Sequence, residues 1–519
     1  MEDLDPRRWW ALSALALSAL VVGLDLTVLN LALPTLATVL HASTTQLQWI
    51  VDSYSLVLAA VLLPAGLLGD RFGRKRLLLG ALLLFAAASL GCAYVTSAGA
   101  LVAARAVLGL GAAFVLPLAL SVLPVLFPEH ERQRAVTISV GATVLAFPIG
   151  PILGGWLLTH FWFGSVFLIN VPVIAVALLV VGLLLPESRG ADRPRLDGIG
   201  IVVSSLALAG LTWGAIQAGQ NGWGDAGARA AIGGGALLLA GFVAWERRVG
   251  RRPGGGQPLV DLALFRSAGF TWGTLLATIV SFAMFGLLFT VPQYFQAVGG
   301  ATAMGAGLRL LPMVGGLVVG AGVADRLARR AGAKLTVALG FAVMASGLLA
   351  GATTSVDSGD GFTLAWVAVL GAGLGFVMPT AMDAALGALT RERSGAGSAL
   401  ITAVRQVGAT IGVAVLGSVL NAGYQARLDL AGLPAPVAGA VRDGVAAGVA
   451  VAHQLGSAPL LLSVRAAFVH GMDQLLLVCA GIAVAGIVLA LAFLPRRSAV
   501  VAPAAGGEPA SEDEVVVRG

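Results

Sequence analysis

Long apolar stretches follow one another along almost the whole chain, with short polar segments between them. Each is close to the roughly 20 residues that an α-helix needs to cross a bilayer. The stretches are uniformly apolar, whereas the strands of a membrane barrel would alternate polar and apolar residues. We therefore predict an all-α polytopic membrane protein. The fourteen predicted spans are residues 9–33, 47–69, 76–95, 99–124, 135–158, 164–186, 197–217, 229–248, 268–291, 302–325, 334–353, 362–387, 397–421 and 469–494.

Basic residues recur in every second connection between these spans. Arg7 and Arg8 precede the first span, and the segments DRFGRKR, EHERQR and DRLARRAGAK fall on the same side. Since Lys and Arg are enriched in cytoplasmic loops, we expect both termini to be cytoplasmic. The excess of Arg over Lys, with abundant Ala and Gly, indicates a bacterial genome of high G+C content and therefore an inner-membrane protein. This topology accounts for the net charge of +6 without a nucleic-acid partner.

One segment, residues 431–454, is only weakly apolar. Its centre carries Arg442 and Asp443, each of which costs about 2.5–3.5 kcal/mol in the middle of a membrane helix. We predict an outer loop that contains an amphipathic helix. The polar tail, residues 498–519, is predicted to be disordered in the cytoplasm.

The chain contains a faint internal repeat. The segment GLLGDRFGRKR, residues 66–76, resembles GVADRLARRAGAK, residues 322–334. Transporters are commonly built from such repeats, with the substrate site between them. We predict a first six-helix half over residues 1–190, two inserted helices with their cytoplasmic loops over 191–265, and a second six-helix half over 266–497 that includes an outer loop at 422–468.

Composition and motifs argue against an enzyme. Hydrophobic residues make up 58% of the chain and charged residues 11%, compared with roughly 25% charged residues in soluble domains. Neither a G-x-x-x-x-G-K-[ST] loop nor an H-E-x-x-H or C-x-x-C motif is present, and we expect no cofactor or metal. Cys92 and Cys479 lie inside apolar stretches and are predicted to be small buried side chains. Any uphill transport would therefore draw on an ion gradient.

Four motifs carry a family resemblance. They are LDLTVLNLALP at residues 24–34, GLLGDRFGRKR at 66–76, RAVLGLGAA from Arg105, and GATVLAFPIGPILGG at 141–155. With these motifs in this order, the chain resembles the major facilitator superfamily and, within it, the fourteen-helix drug:proton antiporters of the quaternary-ammonium and multidrug type. The resemblance implies two six-helix halves plus two inserted helices.

Three ionisable residues lie at similar depth in the first half. At 1.5 Å per residue, Asp25, Arg105 and Asp52 lie about 12, 9 and 8 Å from the outer ends of their spans. Intramembrane charges normally face a cavity or each other, so we expect one polar cavity that contains all three. The resemblance implies that Asp25 and Arg105 couple transport to protons, and we predict that Asp52 is a further proton-coupling residue. The alternative is a purely structural ion pair between the first and fourth helices.

The loop after the second span has the composition of a mechanical element. Gly66 and Gly73 permit close approach and tight turning, and Asp70, Arg71 and Arg74 can form ion pairs at the inner face. We expect such pairs to hold one state of an alternating-access cycle. The alternative is that the basic residues only set the topology.

The fifth span is rich in residues that shape helix packing. Glycines let membrane helices approach closely, and prolines kink them. The resemblance implies a role in exchange without leak, with packing alone as the alternative. The residues of this antiporter motif are Gly141, Pro148, Gly150, Pro151, Gly154 and Gly155.

Further polar residues are candidates for a substrate cavity. In the second half, Asp383 and Arg405 lie at matching depth and could form a pair, and Asp473 is a weaker candidate. In the stretch PQYFQ, the polar residues could line an outer mouth or anchor the interface. The cavity set is Asn30, Tyr54, Gln293, Tyr294, Asp383 and Arg405.

Together these features predict proton-coupled efflux of amphipathic drugs or antibiotics by a monomer in the lipid bilayer. Its partners would be the small-molecule substrate and protons. One alternative is a dedicated exporter of a single secondary metabolite, lipid or peptide that gives self-resistance. An alternative of another class is a non-transporting membrane sensor or scaffold.

Overall fold

The computed structural model describes residues 8–189, 197–251, 259–260, 262–389 and 394–495. Regular secondary structure in these ranges is helical throughout, and they contain no strand. The predicted all-α class is therefore confirmed. The predicted tail at 498–519 lies outside the described residues.

Long helices coincide with the predicted spans one by one. We label them in chain order and treat a helix interrupted at one residue as a single element. They are α1 (Arg8–Val39), α2 (Thr44–Phe72), α3 (Arg74–Tyr94), α4 (Ala98–Ser121), α5 (Glu129–His160), α6 (Ser165–Leu184), α7 (Gly198–Asn221), α8 (Ala226–Gly250), α9 (Ala268–Gln293), α10 (Ala303–Ala331), α11 (Ala333–Gly351), α12 (Asp360–Leu386), α13 (Ser394–Arg427) and α14 (Ala458–Phe493).

Twelve of the helices in the described ranges are long and apolar enough to cross a membrane, and α2 makes thirteen if its two segments count as one bent span. Helix α5 has 32 residues, but not all of its side chains are described. The predicted number of fourteen spans therefore stays a prediction.

Polar caps explain where several helices begin. Ser43 accepts a hydrogen bond from the Gln46 backbone N–H, and the Gln46 side chain accepts one from the Ser43 backbone N–H. This reciprocal capping box fixes the start of α2. Ser97 caps α4 and Asp225 caps α8 in the simpler one-bond form. Such caps satisfy backbone donors that would otherwise be unpaired at the end of a membrane helix.

Helix contacts repeat with a shift of eight helices. In the first half α1 packs on α5, α2 packs on α4, and α3 packs on both α4 and α6. In the second half α9 packs on α13, α10 packs on α12, and α11 packs on both α12 and α14. The most apolar windows of α1 and α9 are each 78% buried, so each half is built around its first helix.

Two helices lie outside this repeated pattern. Helices α7 and α8 pack against each other, and α7 also contacts α2 of the first half and α13 of the second. Only 17% of the most apolar window of α8 is buried. The predicted half boundaries at 190 and 191 lie outside the described residues.

The halves meet at the end of the bundle that carries the α1–α2 connection, which we call the predicted outer end. Here Gln296 Nε2 donates to the Leu31 carbonyl at 2.9 Å, and Gln48 Nε2 donates to the Ala414 carbonyl at 3.3 Å. Helix α2 packs on α13, and the start of α10 packs on α5. The structure is therefore closed at this end.

The segment between α13 and α14 forms two short helices, Ala435–Arg442 and Val445–Gln454, in place of one. Neither is long enough to cross a bilayer. The backbone N–H and the Oγ1 of Thr44 both donate to the Asp443 carbonyl, at 2.6 and 2.9 Å. These contacts dock the two helices, which we call the outer hairpin, on the start of α2.

Candidate functional site

An ion pair lies inside the first half between α1 and α4. Arg105 Nη1 donates to Asp25 Oδ2, and each side chain is 1% exposed. Arg105 Nε donates to the Ile50 carbonyl of α2 at 3.2 Å. The guanidinium carbon lies 4.3 Å from the centroid of the Tyr54 ring. The arginine thus joins its own helix, α4, to α1 and α2 of the same half.

Close packing of α4 on α2 creates this arrangement. Gly109 lies one turn beyond Arg105, and a Cβ there would collide with the carbonyl oxygen of Tyr54 and lie 3.0 Å from its Cα. Because only glycine permits this approach, the Arg105 side chain reaches both the α2 backbone and the Tyr54 ring.

The chemistry of the site follows from its burial. An ion pair away from water is stable only while both charges are present, because the remaining charge would be left unpaired. Protonation of Asp25 would remove one charge and leave the Arg105 cation over the Tyr54 ring. The pair can therefore register the arrival of a proton as a change in helix contacts.

Asp52 does not share this cavity, contrary to the expectation from depth. It is 0% exposed, and neither carboxyl oxygen has a hydrogen-bond partner among the described residues. Ile50 and Tyr54 face α4, whereas Asp52 lies on nearly the opposite face of α2, below Gln48. Residues 52 and 54 lie about 200° apart around α2 because an α-helix turns by 100° per residue.

The loop motif after α2 forms one of the expected ion pairs, between Asp70 and Arg74. Asp70 Oδ1 accepts bonds from Arg74 Nε at 2.9 Å and from Arg74 Nη2 at 2.8 Å. The Arg71 guanidinium carbon instead lies 5.4 Å from the centroid of the Phe72 ring. Gly66 approaches α4, where a Cβ added at residue 66 would lie 3.9 Å from Pro117 Cβ.

Glu187, which follows α6, is a partner of this motif that the sequence reasoning missed. Glu187 Oε1 accepts from the Lys75 backbone N–H at 3.2 Å, and its Oε2 lies 3.5 Å from Arg76 Nε. Gly73 has φ +115°, and a Cβ there would lie 2.7 Å from Glu187 Oε1. These contacts tie α2 and α3 to the end of α6 in the same half. A role of the motif in holding one state of an alternating-access cycle stays a prediction.

The antiporter motif lies where α5 meets two other helices. A Cβ at Gly150 would collide with Thr27, and one at Gly154 would lie 2.8 Å from Val28 Cγ1, both on α1. A Cβ at Gly155 would lie 2.7 Å from the Met304 Cα of α10. Pro151 is buried beside α10. The side chains at residues 141 and 148 lie outside the described part of α5, so the roles of Gly141 and Pro148 stay predictions.

The six residues predicted for a substrate cavity differ in accessibility. Asn30, Tyr54, Gln293 and Tyr294 are at most 4% exposed, whereas Asp383 is exposed and Arg405 is partly accessible. The pairing considered for Asp383 and Arg405 is not present. Arg405 Nε donates to Ser281 Oγ at 3.2 Å and its Nη1 to the Met382 sulfur at 3.3 Å.

In the described part of the second half, no buried ion pair corresponds to Asp25–Arg105. Within the described residues Arg405 has no carboxylate at ion-pair distance. Gln293 lies instead at a small pocket near the predicted outer end, which is also lined by Thr44, Asn421, Tyr424 and Val445.

Comparison with known proteins gives a consistent result. Residues 15–413 match the family described as Major Facilitator Superfamily. A tetracenomycin C resistance and export protein of Streptomyces glaucescens is 37% identical over 413 residues, covering 79% of this chain and 76% of that protein. The multidrug efflux pump LfrA of Mycolicibacterium smegmatis is 34% identical over 496 residues, covering 93% of this chain and 96% of that protein.

Solved structures resemble this one in fold. A bacterial homologue of the human lysosomal transporter Spinster, crystallised in an inward-facing and unoccupied conformation, superposes with a TM-score of 0.65. The alignment covers 94% of this chain and 98% of that one, at 18% sequence identity. At this identity the likeness shows that the helices share one arrangement.

Proposed function

Since this chain belongs to the Major Facilitator Superfamily, we propose that it exports amphipathic drugs or antibiotics in exchange for protons. The family and its transporter relatives make the chain a membrane transporter rather than an enzyme. We place it in the bacterial inner membrane as a monomer, with both termini in the cytoplasm. Membership of the fourteen-helix subfamily and a preference for quaternary ammonium compounds remain part of this proposal.

The observation that carries the proposal is the buried Asp25–Arg105 pair. Intramembrane charges are costly and mark ion or substrate pathways in transporters. This pair is buried between α1 and α4, where Arg105 also donates to the Ile50 carbonyl and lies over the Tyr54 ring. It can bind a proton at Asp25 while Arg105 keeps its charge, because guanidinium groups stay protonated.

We propose the following cycle. A proton from outside neutralises Asp25, the pair weakens, and the helices that it holds rearrange. Release of the proton to the inside restores the pair, and the drug competes with the proton for the two states. The ion pair of Asp70 with Arg74 would stabilise one of these states, and the close packing of α5 would seal the exchange against leak.

The substrate follows from the relatives only as a class. One relative is named for tetracenomycin C and another for multidrug efflux. A dedicated exporter of one metabolite, lipid or peptide is therefore the second candidate. It is favoured by the name of the first relative and would resist substitution of one substrate by another. A sensor or scaffold would need no buried pair that binds protons.

The decisive experiment uses purified protein in liposomes with an imposed pH gradient and a fluorescent amphipathic dye. We compare the wild type, Asp25→Asn and Asp357→Asn, the last of which removes a carboxylate from an exposed loop. The proposal expects gradient-driven transport by the wild type and Asp357→Asn, and its loss in Asp25→Asn. If Asp25→Asn transports as well as the wild type, Asp25 is structural and the coupling site lies elsewhere.

A second set of outcomes separates the two substrate candidates. Competition between unrelated dyes and antibiotics indicates a multidrug pump. A wild type that moves no dye but dissipates the pH gradient with one compound indicates a dedicated exporter.

A further inference from the structure

A buried polar seam joins three helices near the predicted outer end: α2, the inserted helix α7, and α13. Gln48 of α2 donates to the Ala414 carbonyl of α13 at 3.3 Å. Ser418 Oγ of α13 donates to the Ala215 carbonyl of α7 at 2.8 Å, and Asn421 Nδ2 donates to the Gly219 carbonyl at 3.4 Å. We call this three-helix junction the outer seam.

The inserted helix is joined to the second half more closely than to the first. A Cβ at Gly219 would collide with Ser418 and lie 2.6 Å from its Cα, so α7 and α13 meet backbone to backbone. Helix α7 also contacts α2, but less extensively than α13, and Trp49 of α2 packs against the apolar cluster that contains Ala215 and Ile216. If the seam opens, it should therefore separate α2 from a joint α7–α13 unit.

Asp52 is fully buried on the face of α2 that Gln48 brings to this seam. It is four residues from Gln48, which places both side chains on one face of α2. Its carboxyl oxygens have no hydrogen-bond partner in the described part of the chain, and the Oγ1 of Thr212, on the seam face of α7, is likewise buried without a partner.

The charged groups around Asp52 can be named helix by helix. Helix α7 and residues 406–421 of α13 contain no titratable side chain. On α1 and α4 the charges are Asp25 and Arg105, which pair with each other, and Arg8 at the start of α1, which pairs with Glu131. Arg405 of α13 bonds Ser281 and Met382 on other helices. Above the start of α2 lies Asp443, in the outer hairpin. An ionised carboxylate in this environment would be desolvated and unpaired, which costs several kcal/mol.

We propose that protonation of Asp52 is the condition for closing the outer seam, and that the α7–α13 unit moves away from α2 when the seam opens. Opening exposes the carboxyl group to the outside, where it ionises and is hydrated. Closing requires the neutral form. This deepens the proposed function: Asp52 gates the outer side, whereas Asp25 couples proton and drug.

The sign of the pH dependence follows directly. The closed seam binds one proton more than the open seam, so the ratio of closed to open molecules falls as the pH rises. One proton changes this ratio by at most about tenfold per pH unit. Asp52→Asn and Asp52→Ala remove the ionisable group, so both should stay closed over the whole pH range.

The test measures distances by pulsed electron paramagnetic resonance in lipid nanodiscs between pH 5 and 9. Spin labels at Thr45→Cys and Gln425→Cys mark the ends of α2 and α13 without altering the seam. Labels at Gly224→Cys and Gln425→Cys mark the end of α7 against α13. The native Cys92 and Cys479 are replaced by alanine. Each pair is measured with Asp52, Asp52→Asn, Asp52→Ala, Asp25→Asn and Ser53→Ala, a matched neighbour on α2.

With Asp52 present, we expect the short α2–α13 distance to lose population as the pH rises, and the α7–α13 distance to stay constant. Both Asp52 variants should keep the short distance at every pH, while Asp25→Asn and Ser53→Ala retain the pH response. An unchanged response in the Asp52 variants, or a response lost in Asp25→Asn, overturns the proposal. A varying α7–α13 distance overturns the joint movement. Because no transport is measured, this result stands apart from the liposome experiment.

Discussion

The backbone of Gly155 on α5 lies so close to the backbone of Met304 on α10 that a Cβ at residue 155 would be 2.7 Å from the Met304 Cα. This contact joins the two halves at the predicted outer end. On the α10 side, a Cβ at Gly307 would collide with the Pro151 carbonyl oxygen. The antiporter motif is therefore half of a glycine-mediated interface between the halves.

Gly155→Ala should disfavour the state that is closed at the predicted outer end. Backbone atoms cannot move aside as a flexible side chain can, so the two helices must separate. The matched control is Gly233→Ala on α8, where a Cβ would meet nothing within 4 Å. We expect leak of protons through liposomes that contain Gly155→Ala, measured with an internal pH dye. A leak rate equal to that of the control would contradict this role.

Truncation of Arg105 should be severe. Arg105→Ala leaves the Asp25 carboxylate buried without a cation, which typically costs about 3–5 kcal/mol. Arg105→Lys keeps the charge but cannot reproduce the bonds to both Asp25 and the Ile50 carbonyl. We expect the temperature of thermal unfolding in detergent to fall from the wild type to Arg105→Lys and again to Arg105→Ala. Gradient-driven transport should be lost in Arg105→Ala.

The double variant Asp25→Asn with Arg105→Ala provides the control for this pair. If the cost of Arg105→Ala comes from an unpaired carboxylate, neutralising Asp25 should recover part of the thermal stability without restoring coupling. Equal unfolding temperatures of Arg105→Ala and the double variant would mean that the ion pair does not hold α1 and α4 together.

Gly73→Ala should weaken the connection of α2 and α3. The residue has φ +115°, which L-residues other than glycine rarely adopt, and its new Cβ would lie 2.7 Å from Glu187 Oε1. We expect a loss of about 1–3 kcal/mol from backbone strain, seen as a lower unfolding temperature. Gly80→Ala on α3, where a Cβ meets nothing within 4 Å, should show no loss. Glu187→Gln tests the charge on its own and should cost less than Gly73→Ala.

Gly444→Ala should release the outer hairpin. Gly444 has φ +155°, and an added Cβ would lie 2.6 Å from Thr44 Oγ1, the atom that donates to the Asp443 carbonyl. We expect faster proteolysis between Ala435 and Gln454 in proteoliposomes. Gly439→Ala, inside the helix Ala435–Arg442 with open space around it, should leave the rate unchanged or lower it. Equal rates for the two variants would show that the hairpin does not depend on this contact.

The sequence by itself determined the class of protein and the position of nearly every long helix. Uniform apolar stretches of span length have one stable solution in a bilayer, because a helix satisfies its own backbone hydrogen bonds. The same one-dimensional pattern located Asp25 and Arg105 at matching depth, and the structure pairs them.

Only the tertiary structure decided which faces meet. Counting residues predicts similar depths for Asp52 and Arg105, but Asp52 lies on a different face of α2 from Tyr54, which contacts Arg105. Counting also predicts matching depths for Asp383 and Arg405, which form no pair. Glu187 and Gln48 gained partners more than 100 residues away, which no local pattern encodes. Depth follows from counting residues along one helix, whereas contact depends on how several helices are rotated and packed. Glycines such as Gly109 and Gly155 allow these helices to approach closely.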